Sequence, residues 1–149
     1  MVGVAAELTM DGFQPVLDAL SGFGPADRRE ALEIMGGVAE SAARRRLSDE
    51  KQGPHGERWP EWSPAYARTR HANQSLLVSE GHLIDSLQTV VSGEVALVGS
   101  PLVYAAIHQF GGEPVGMAIP ERPYLGLSGE DELDLLSAVQ DFIRGKLHE

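Results

Sequence analysis

Residues 104–128 constrain the fold of this chain more than any other stretch. Pro120 and Pro123 flank the charged pair Glu121 and Arg122. Each proline fixes its own φ angle and keeps the preceding residue out of the helical region, so this backbone is extended and stiff. Two adjacent glycines terminate the apolar run that precedes it. The segment is also rich in aromatic residues, which predicts a loop docked on a protein surface rather than a linker.

Composition bounds the class of protein. The 149 residues fit one domain, residues 1–149, with 42% apolar residues and no cysteine. Disulfides and thiolate metal sites are therefore excluded. The chain contains neither an apolar run of the ~18–20 residues that cross a bilayer nor a signal-peptide pattern, which predicts no membrane association. The net charge of −10 argues against a general nucleic-acid-binding protein.

The hydrophobic periodicity predicts an α+β fold, in which a small antiparallel sheet packs against a long helix from the N-terminal half and a C-terminal helix. Residues 1–9 alternate like a strand, and residues 88–91 and 95–100 are typical of a hairpin that turns at Ser92 and Gly93. The expected helices cover residues 13–20, residues 25–47, short segments near residues 64–70, 79–87 and 101–110, and a final helix beginning at Ser128 with a capping box.

Three local features of these elements make further predictions. Gly36 and Gly37 weaken the long helix, which close approach of another backbone would explain. Three consecutive arginines, residues 44–46, are predicted to form a solvated helix end. The valines of the hairpin fall on both of its faces, which predicts a sheet covered on both sides.

Residues 49–64 form an extended, proline-broken loop that contains both tryptophans, Trp59 and Trp62. One interpretation is that they close the edge of the core. The other is that they anchor a partner, since tryptophan is enriched at interface hot spots. The sequence leaves both interpretations open.

Enzyme chemistry is not visible in the sequence. Neither a phosphate-binding glycine motif nor a nucleophile elbow is present, and no two histidines have the helical spacing of a zinc site. We therefore predict a protein without catalytic, cofactor-binding or metal-binding residues. The alternative from the enzyme class is a metal-dependent hydrolase that uses His82, His108 and Asp85.

Four motifs together carry a resemblance to a known family. They are Pro54-His55-Gly56-Glu57-Arg58-Trp59-Pro60, the run from Leu76 to Leu87 that contains Gly81-His82-Leu83, Tyr104-Ala105-Ala106-Ile107-His108-Gln109-Phe110-Gly111-Gly112, and Ile119-Pro120-Glu121-Arg122-Pro123-Tyr124-Leu125-Gly126. Their order and spacing resemble the virion-morphogenesis or tail-completion family of tailed bacteriophages, best known from Mu-like phages. The resemblance begins near Pro54 and continues to the last helix. Glu80, before Gly81, departs from the family pattern.

The resemblance implies a structural protein of the head-proximal end of the phage tail, a tail-completion, terminator or neck protein. It would assemble as a homo-oligomeric ring, a hexamer, that contacts the tail tube and the head–tail connector. DNA would pass nearby without specific binding. The implied location is the virion, after assembly in the host cytoplasm. A head-completion protein on the capsid side and a protein-binding module without a virion role are the alternatives.

The same resemblance implies interface roles for aromatic and polar side chains of the matched motifs. An aromatic ring supplies rigid contact area, and an arginine can bind carbonyls or a carboxylate of a neighbour. Packing within the chain is the alternative for six of the residues, Tyr104, His108, Gln109, Phe110, Arg122 and Tyr124. The predicted interface residues are Trp59, Trp62, Tyr104, His108, Gln109, Phe110, Arg122 and Tyr124.

Overall fold

A computed structural model describes residues 3–9, 18–78 and 81–148 of the chain. Most of the helix predicted over residues 13–20 lies outside these ranges, and residues 18–20 are helical. The described elements are strand β1 (Val4–Thr9), helix α1 (Pro25–Arg45), a π-helical turn (Arg46–Glu50), helix α2 (Pro64–Ala67), helix α3 (His82–Ser86), strands β2 (Gln88–Ser92) and β3 (Val95–Ser100), helix α4 (Ala105–Phe110), a 3₁₀ turn (Glu113–Val115) and helix α5 (Gly129–Leu147). The predicted α+β class is confirmed.

The three strands form one antiparallel sheet in the order β1-β3-β2. The predicted β2–β3 hairpin is present, but Ser92 pairs with Val95, so the turn lies at Gly93 and Glu94, one residue beyond the predicted Ser92 and Gly93. Gly93 has a φ of 60°, a left-handed conformation that glycine adopts without steric penalty. On the other side of β3, Val4 pairs with Ser100 and Thr9 with Val95. The N-terminal strand therefore completes the sheet through long-range pairing.

Among the described residues, only one face of the sheet is covered. Its inward side chains include Leu8, Val91 and Ala96, which are buried in the core with α1. On the opposite face Ala5 and Glu7 are exposed, and Val90 is 49% exposed. The prediction of a sheet covered on both sides is wrong for this chain. Valine favours strands because it fits a pleated surface, and that preference does not require burial on both faces.

Helix α1 is the central element of the core. Pro25 occupies its first turn and Asp27 lies near the positive end of the helix dipole, both favourable positions. Its buried stripe, which includes Leu32, Met35 and Ala39, contacts the sheet and α5. The helical conformation continues beyond the predicted end, residue 47, through the π-helical turn. It ends at Lys51, whose φ is 54°.

The arginine triplet is a solvated helix end only at Arg45, which is exposed. Arg44 donates hydrogen bonds to the carbonyls of Ile84 and Leu87, each at 2.7 Å. Arg46 is only 2% exposed and pairs with Asp131, which is 3% exposed. The earlier prediction failed because it counted charge and ignored helical position: residues 32, 35, 39, 42 and 46 share one helical face.

A capping box begins helix α5, as predicted. The Ser128 hydroxyl accepts from the Asp131 N–H, and the Asp131 carboxylate accepts from the Ser128 N–H, both at 3.0 Å. The short aspartate closes this box although glutamate or glutamine is the usual residue. Leu135 and Val139 follow on the buried face and pack in the core with α1. The start of α5 is thereby fixed relative to the end of α1.

The glycine pair in α1 has a different explanation from the one expected. A Cβ atom on Gly36 would lie 2.2 Å from Cγ2 of Thr89, so a side chain of β2 makes the close approach, not a backbone. The Thr89 hydroxyl also donates to Glu40 at 3.1 Å, which holds that side chain in place. A Cβ on Gly37 would meet nothing within 4 Å. Only Gly36 is needed for the packing of α1 on the sheet.

We predict that Gly36→Ala and Gly37→Ala have different effects on stability. Both changes raise helix propensity by about 1 kcal/mol, so Gly37→Ala should stabilise the protein. Gly36→Ala should lie about 1–3 kcal/mol below Gly37→Ala in free energy of unfolding, because the new methyl group overpacks the contact with Thr89. Urea unfolding of the two variants measures the difference. Equal free energies would show that α1 does not need a glycine at this crossing.

Candidate functional site

The end of helix α4 holds the extended loop of residues 120–128. The Gln109 side-chain oxygen accepts hydrogen bonds from the backbone N–H groups of Tyr124 and Leu125, both at 3.0 Å. The neighbouring His108 carbonyl accepts from the Arg122 N–H at 2.7 Å. Proline has no backbone N–H, so this loop has few donors for a β ladder. The loop's backbone N–H groups instead hydrogen-bond to the Gln109 side chain and to the His108 carbonyl in α4. This pairing explains why the two motifs occur together in the sequence.

Arg122 joins the same loop to the loop that contains Trp59 and Trp62, here called the tryptophan loop. Its Nε donates to the Pro60 carbonyl at 2.8 Å and its Nη2 to the Glu61 carbonyl at 3.2 Å. The residue is 6% exposed. Burial lowers the pKa of Arg122 from its ordinary value, whereas the charge of Glu61 acts in the opposite direction. The planar guanidinium thus binds two adjacent carbonyls with two different nitrogens, Nε and Nη2.

Two buried aromatic residues also hold the loop of residues 120–128 in place. Tyr124 is fully buried, and its hydroxyl donates to the Ala105 carbonyl at 2.8 Å. Burial raises the pKa of the Tyr124 phenol, so the hydroxyl keeps the proton that it donates. The Trp59 indole N–H donates to the Pro123 carbonyl at 2.9 Å, and its ring is buried in the core. For Trp59, Gln109, Arg122 and Tyr124, the contacts described here lie within the chain.

His108, which precedes Gln109 in helix α4, has an unusual environment. Its Nδ1 atom is buried and has no hydrogen-bond partner among the described residues. Burial lowers the pKa of His108 below its ordinary 6.5, and the positive charge of Arg122 lowers it further. The imidazole is therefore neutral near pH 7. The Tyr104 ring packs edge-on against it, with ring centroids 5.8 Å apart.

A cavity of about 600 Å³ opens beside His108. This volume lies within the range of ligand-binding pockets, about 300–1,000 Å³. Its walls come from the tryptophan loop, α2, the turn at residues 75–78, the start of α3 and residues 118–122. The lining combines aromatic, aliphatic and basic side chains, and includes Trp62, Tyr66, Arg70, Leu77, Tyr104 and Arg122. Among the lining residues that the structure describes, one is acidic, Glu61.

Backbone and ring geometry shape the wall of the cavity. The Trp62 and Tyr66 rings meet edge-on with centroids 6.0 Å apart. The Arg70 guanidinium lies 4.6 Å from the centroid of the Tyr66 ring, a cation–π contact. Leu77 has a φ of 61°, which is rare for a residue with a bulky side chain. Lys51 supports this turn by donating to the Ser75 hydroxyl at 2.9 Å and to the Leu76 carbonyl at 3.0 Å.

The residues of the hydrolase alternative do not form a metal site. His82 and His108 both line the cavity, but Asp85 is not among the lining residues. Within residues 3–9, 18–78 and 81–148, no three histidine or acidic side chains are placed to hold a metal ion. Nor, in this part of the chain, does any helix combine the length and apolarity that a bilayer span requires.

Several predicted interface residues face solvent, in contrast to the internal group. Phe110 is 60% exposed, and Tyr104 is also exposed. Trp62 is half-buried against the core and lines the cavity. Whether these side chains contact a partner stays a prediction. Val115 and Met117 join the exposed apolar residues, although the sequence analysis did not single them out.

The sequence analysis also missed Tyr66, Arg70 and Leu77. Tyr66 and Arg70 are four residues apart, which on a helix places them on one face and could have indicated their contact. Leu77 shows no sequence signal for its positive φ, because that conformation comes from the turn closed by the Ser75 and Val78 backbone bonds.

Comparison with known proteins identifies the family. The profile of the phage virion morphogenesis family matches residues 8–144. The chain is 30% identical over 141 residues to "Putative capsid assembly protein G" of Escherichia phage Mu, covering 88% of this chain and 90% of that protein. It is 37% identical over 84 residues to Mu-like prophage FluMu G protein 2 of Haemophilus influenzae, covering 54% and 61%.

A third relative, Mu-like prophage FluMu G protein 1 of Haemophilus influenzae, is 30% identical over 118 residues, covering 76% of this chain and 77% of that protein. No solved structure matches the chain significantly. The family profile matches well over half of the chain. The chain belongs to the phage virion morphogenesis family.

We predict that the Gln109 oxygen stabilises the loop as an acceptor. Gln109→Met keeps the side-chain length but leaves the Tyr124 and Leu125 N–H groups without their partner, and should lower the free energy of unfolding by about 1–3 kcal/mol per unsatisfied group. Gln109→Glu retains an acceptor and should lose less. Denaturant unfolding measures both. Equal losses in the two variants would assign the effect to packing and not to hydrogen bonding.

Proposed function

We propose that this protein is a structural component of the head-proximal end of the phage tail, where it completes the tail and joins it to the head. The observation that carries the proposal is the family match over residues 8–144, which includes the two paired motifs that build the supported loop. It acts in the virion, after assembly in the host cytoplasm. Its work is binding, and it catalyses no reaction.

The surface chemistry supports an assembly role. Large apolar side chains are exposed on α4 and in the residues that follow it, with Phe110 60% and Val115 64% exposed. These large apolar side chains, exposed within one short segment, are candidates for burial against a partner. The backbone beneath it is held by the Gln109 and His108 bonds, so little order has to be gained on binding.

The proposed partners follow from this role. Copies of the chain form a ring, a hexamer, between the tail tube and the head–tail connector, and DNA passes through it. The net charge of −10 supports passage without binding, since an acidic surface repels phosphates.

A second candidate function places the protein on the capsid side of the joint. The printed name of the phage Mu relative, which matches over 90% of its length, refers to capsid assembly. In that case the same exposed surface would bind capsid proteins instead of tail proteins.

Particles from the encoding phage or prophage test the position. With the gene inactivated, we expect filled heads and separate tails in electron micrographs, and a plasmid copy of the wild-type gene should restore joined particles. Mass spectrometry of restored particles should detect the protein. Normal tails accompanied by missing or empty heads would contradict the tail assignment in favour of the capsid side. Normal particles that lack the protein would contradict a virion role altogether.

A further inference from the structure

Residues 112–119 form a short projecting segment, here called the arm. Its base is closed by a hydrogen bond from the Gly112 N–H to the Ile119 carbonyl at 2.8 Å. Inside it, the Met117 N–H donates to the Gly112 carbonyl at 2.9 Å, and the 3₁₀ turn (Glu113–Val115) forms the tip. A Cβ on Gly112 would lie 2.8 Å from Cβ of Met117, so only glycine permits this closure. The arm is an ordered structure built by its own backbone.

The tip of the arm is apolar and negatively charged. Val115 is 64% exposed and Met117 47% exposed. Glu113 is exposed beside them, as is Glu121 just beyond the arm. Residues 103–121 contain no lysine or arginine. Apolar side chains held in water on a closed turn are a surface that gains free energy when a partner covers it.

The cavity has the complementary chemistry. Its apolar walls include Trp62, Tyr66 and Leu77, and its cations are Arg70 and Arg122. Two nitrogens of Arg122 are bonded to Pro60 and Glu61, and its Nη1 has no partner among the described residues. His108, with its unpartnered Nδ1, lies in the same wall. The positive φ of Leu77 adds a strained backbone at this site, as binding sites often contain.

We propose that the arm of one copy inserts into the cavity of the next copy. The apolar tip meets apolar walls, and Glu113 of the arm and the adjacent Glu121 meet the basic side chains of the cavity, so polarity and charge both select this occupant. The inference rests on the proposed ring and specifies its contact.

The position of the arm excludes its own cavity as the target. Residues 118–120, at the base of the arm, line that cavity, whereas Val115 and Met117 do not and are exposed. The tip of the arm and the cavity are therefore different surfaces of one chain. A contact between two different surfaces is heterologous, and repetition of such a contact produces a closed ring or an open filament.

Cysteine cross-linking tests this contact, since the natural chain contains no cysteine. One variant carries Val115→Cys at the exposed tip, and a second carries Val78→Cys in the cavity wall. After mild oxidation of an equal mixture, we expect a mixed disulfide dimer in several-fold excess over both homodimers. Adding Met117→Lys to the first variant should abolish the excess, because a cation would replace an apolar contact beside Arg70 and Arg122 of the cavity.

Leu133→Cys is the matched control for the arm position. Leu133 is 69% exposed on α5 and is not among the cavity-lining residues. The yield of mixed disulfide between Leu133→Cys and Val78→Cys measures cross-linking by random collision. A control yield equal to that of Val115→Cys overturns the proposal, and so does a preference for Val115→Cys homodimers, which would indicate contact between two arms.

Sedimentation velocity of the wild-type protein separates this inference from the proposed ring. A multimer without the mixed disulfide contradicts the arm contact alone. A monomer at every concentration without the mixed disulfide contradicts the self-assembled ring as well. A multimer with the mixed disulfide in excess supports both, and the particle experiment tests the position in the virion independently.

Discussion

The buried pair of Arg46 and Asp131 is the interaction on which the rest of the structure depends. Arg46, in the π-helical turn after α1, binds Asp131 and also donates to the carbonyls of Tyr124 and Gly126, each at 3.0 Å. Asp131 also closes the capping box of α5. One side chain thus joins the end of α1, the loop of residues 120–128 and the start of α5. Removal of one partner from a buried ion pair destabilises a protein by about 3–5 kcal/mol.

This joint positions the candidate surface in two steps. Arg46 fixes the inner side of the loop, and the loop backbone is then bound by Gln109 and His108 from α4. Arg122 transmits the constraint to the tryptophan loop, whose Trp62 forms part of the cavity wall. Holding the loop in this geometry requires buried polar contacts, whereas binding a partner requires exposed apolar side chains. The two requirements are divided between neighbouring residues of the same motif, with Gln109 inside and Phe110 outside.

The sequence predicted those parts of the fold that follow from local patterns. The hairpin, the long helix and the capping box at Ser128 follow from periodicity and turn chemistry, which act over a few residues. The roles of Arg46 and Thr89 depend on partners 85 and 49 residues away, and no local pattern records them. For the candidate site, the motifs located the right segment, but they could not separate the buried Tyr124 from the exposed Phe110. The arm was not predicted, because valine and methionine usually lie in a core. The sequence alone does not show that Val115 and Met117 are exposed.

Hydrogen exchange in Arg46→Met tests the central claim that this arginine holds the loop and the start of α5. Its control is Arg28→Met, which removes an ion pair to the 60% exposed side chain of Glu94 and should have little effect. In Arg46→Met we expect a much larger increase in exchange rate at the backbone amides of Arg122, Tyr124 and Asp131 than at those of the β2–β3 hairpin. Unchanged exchange at those three amides, or an equal loss of protection throughout the chain, would contradict the account.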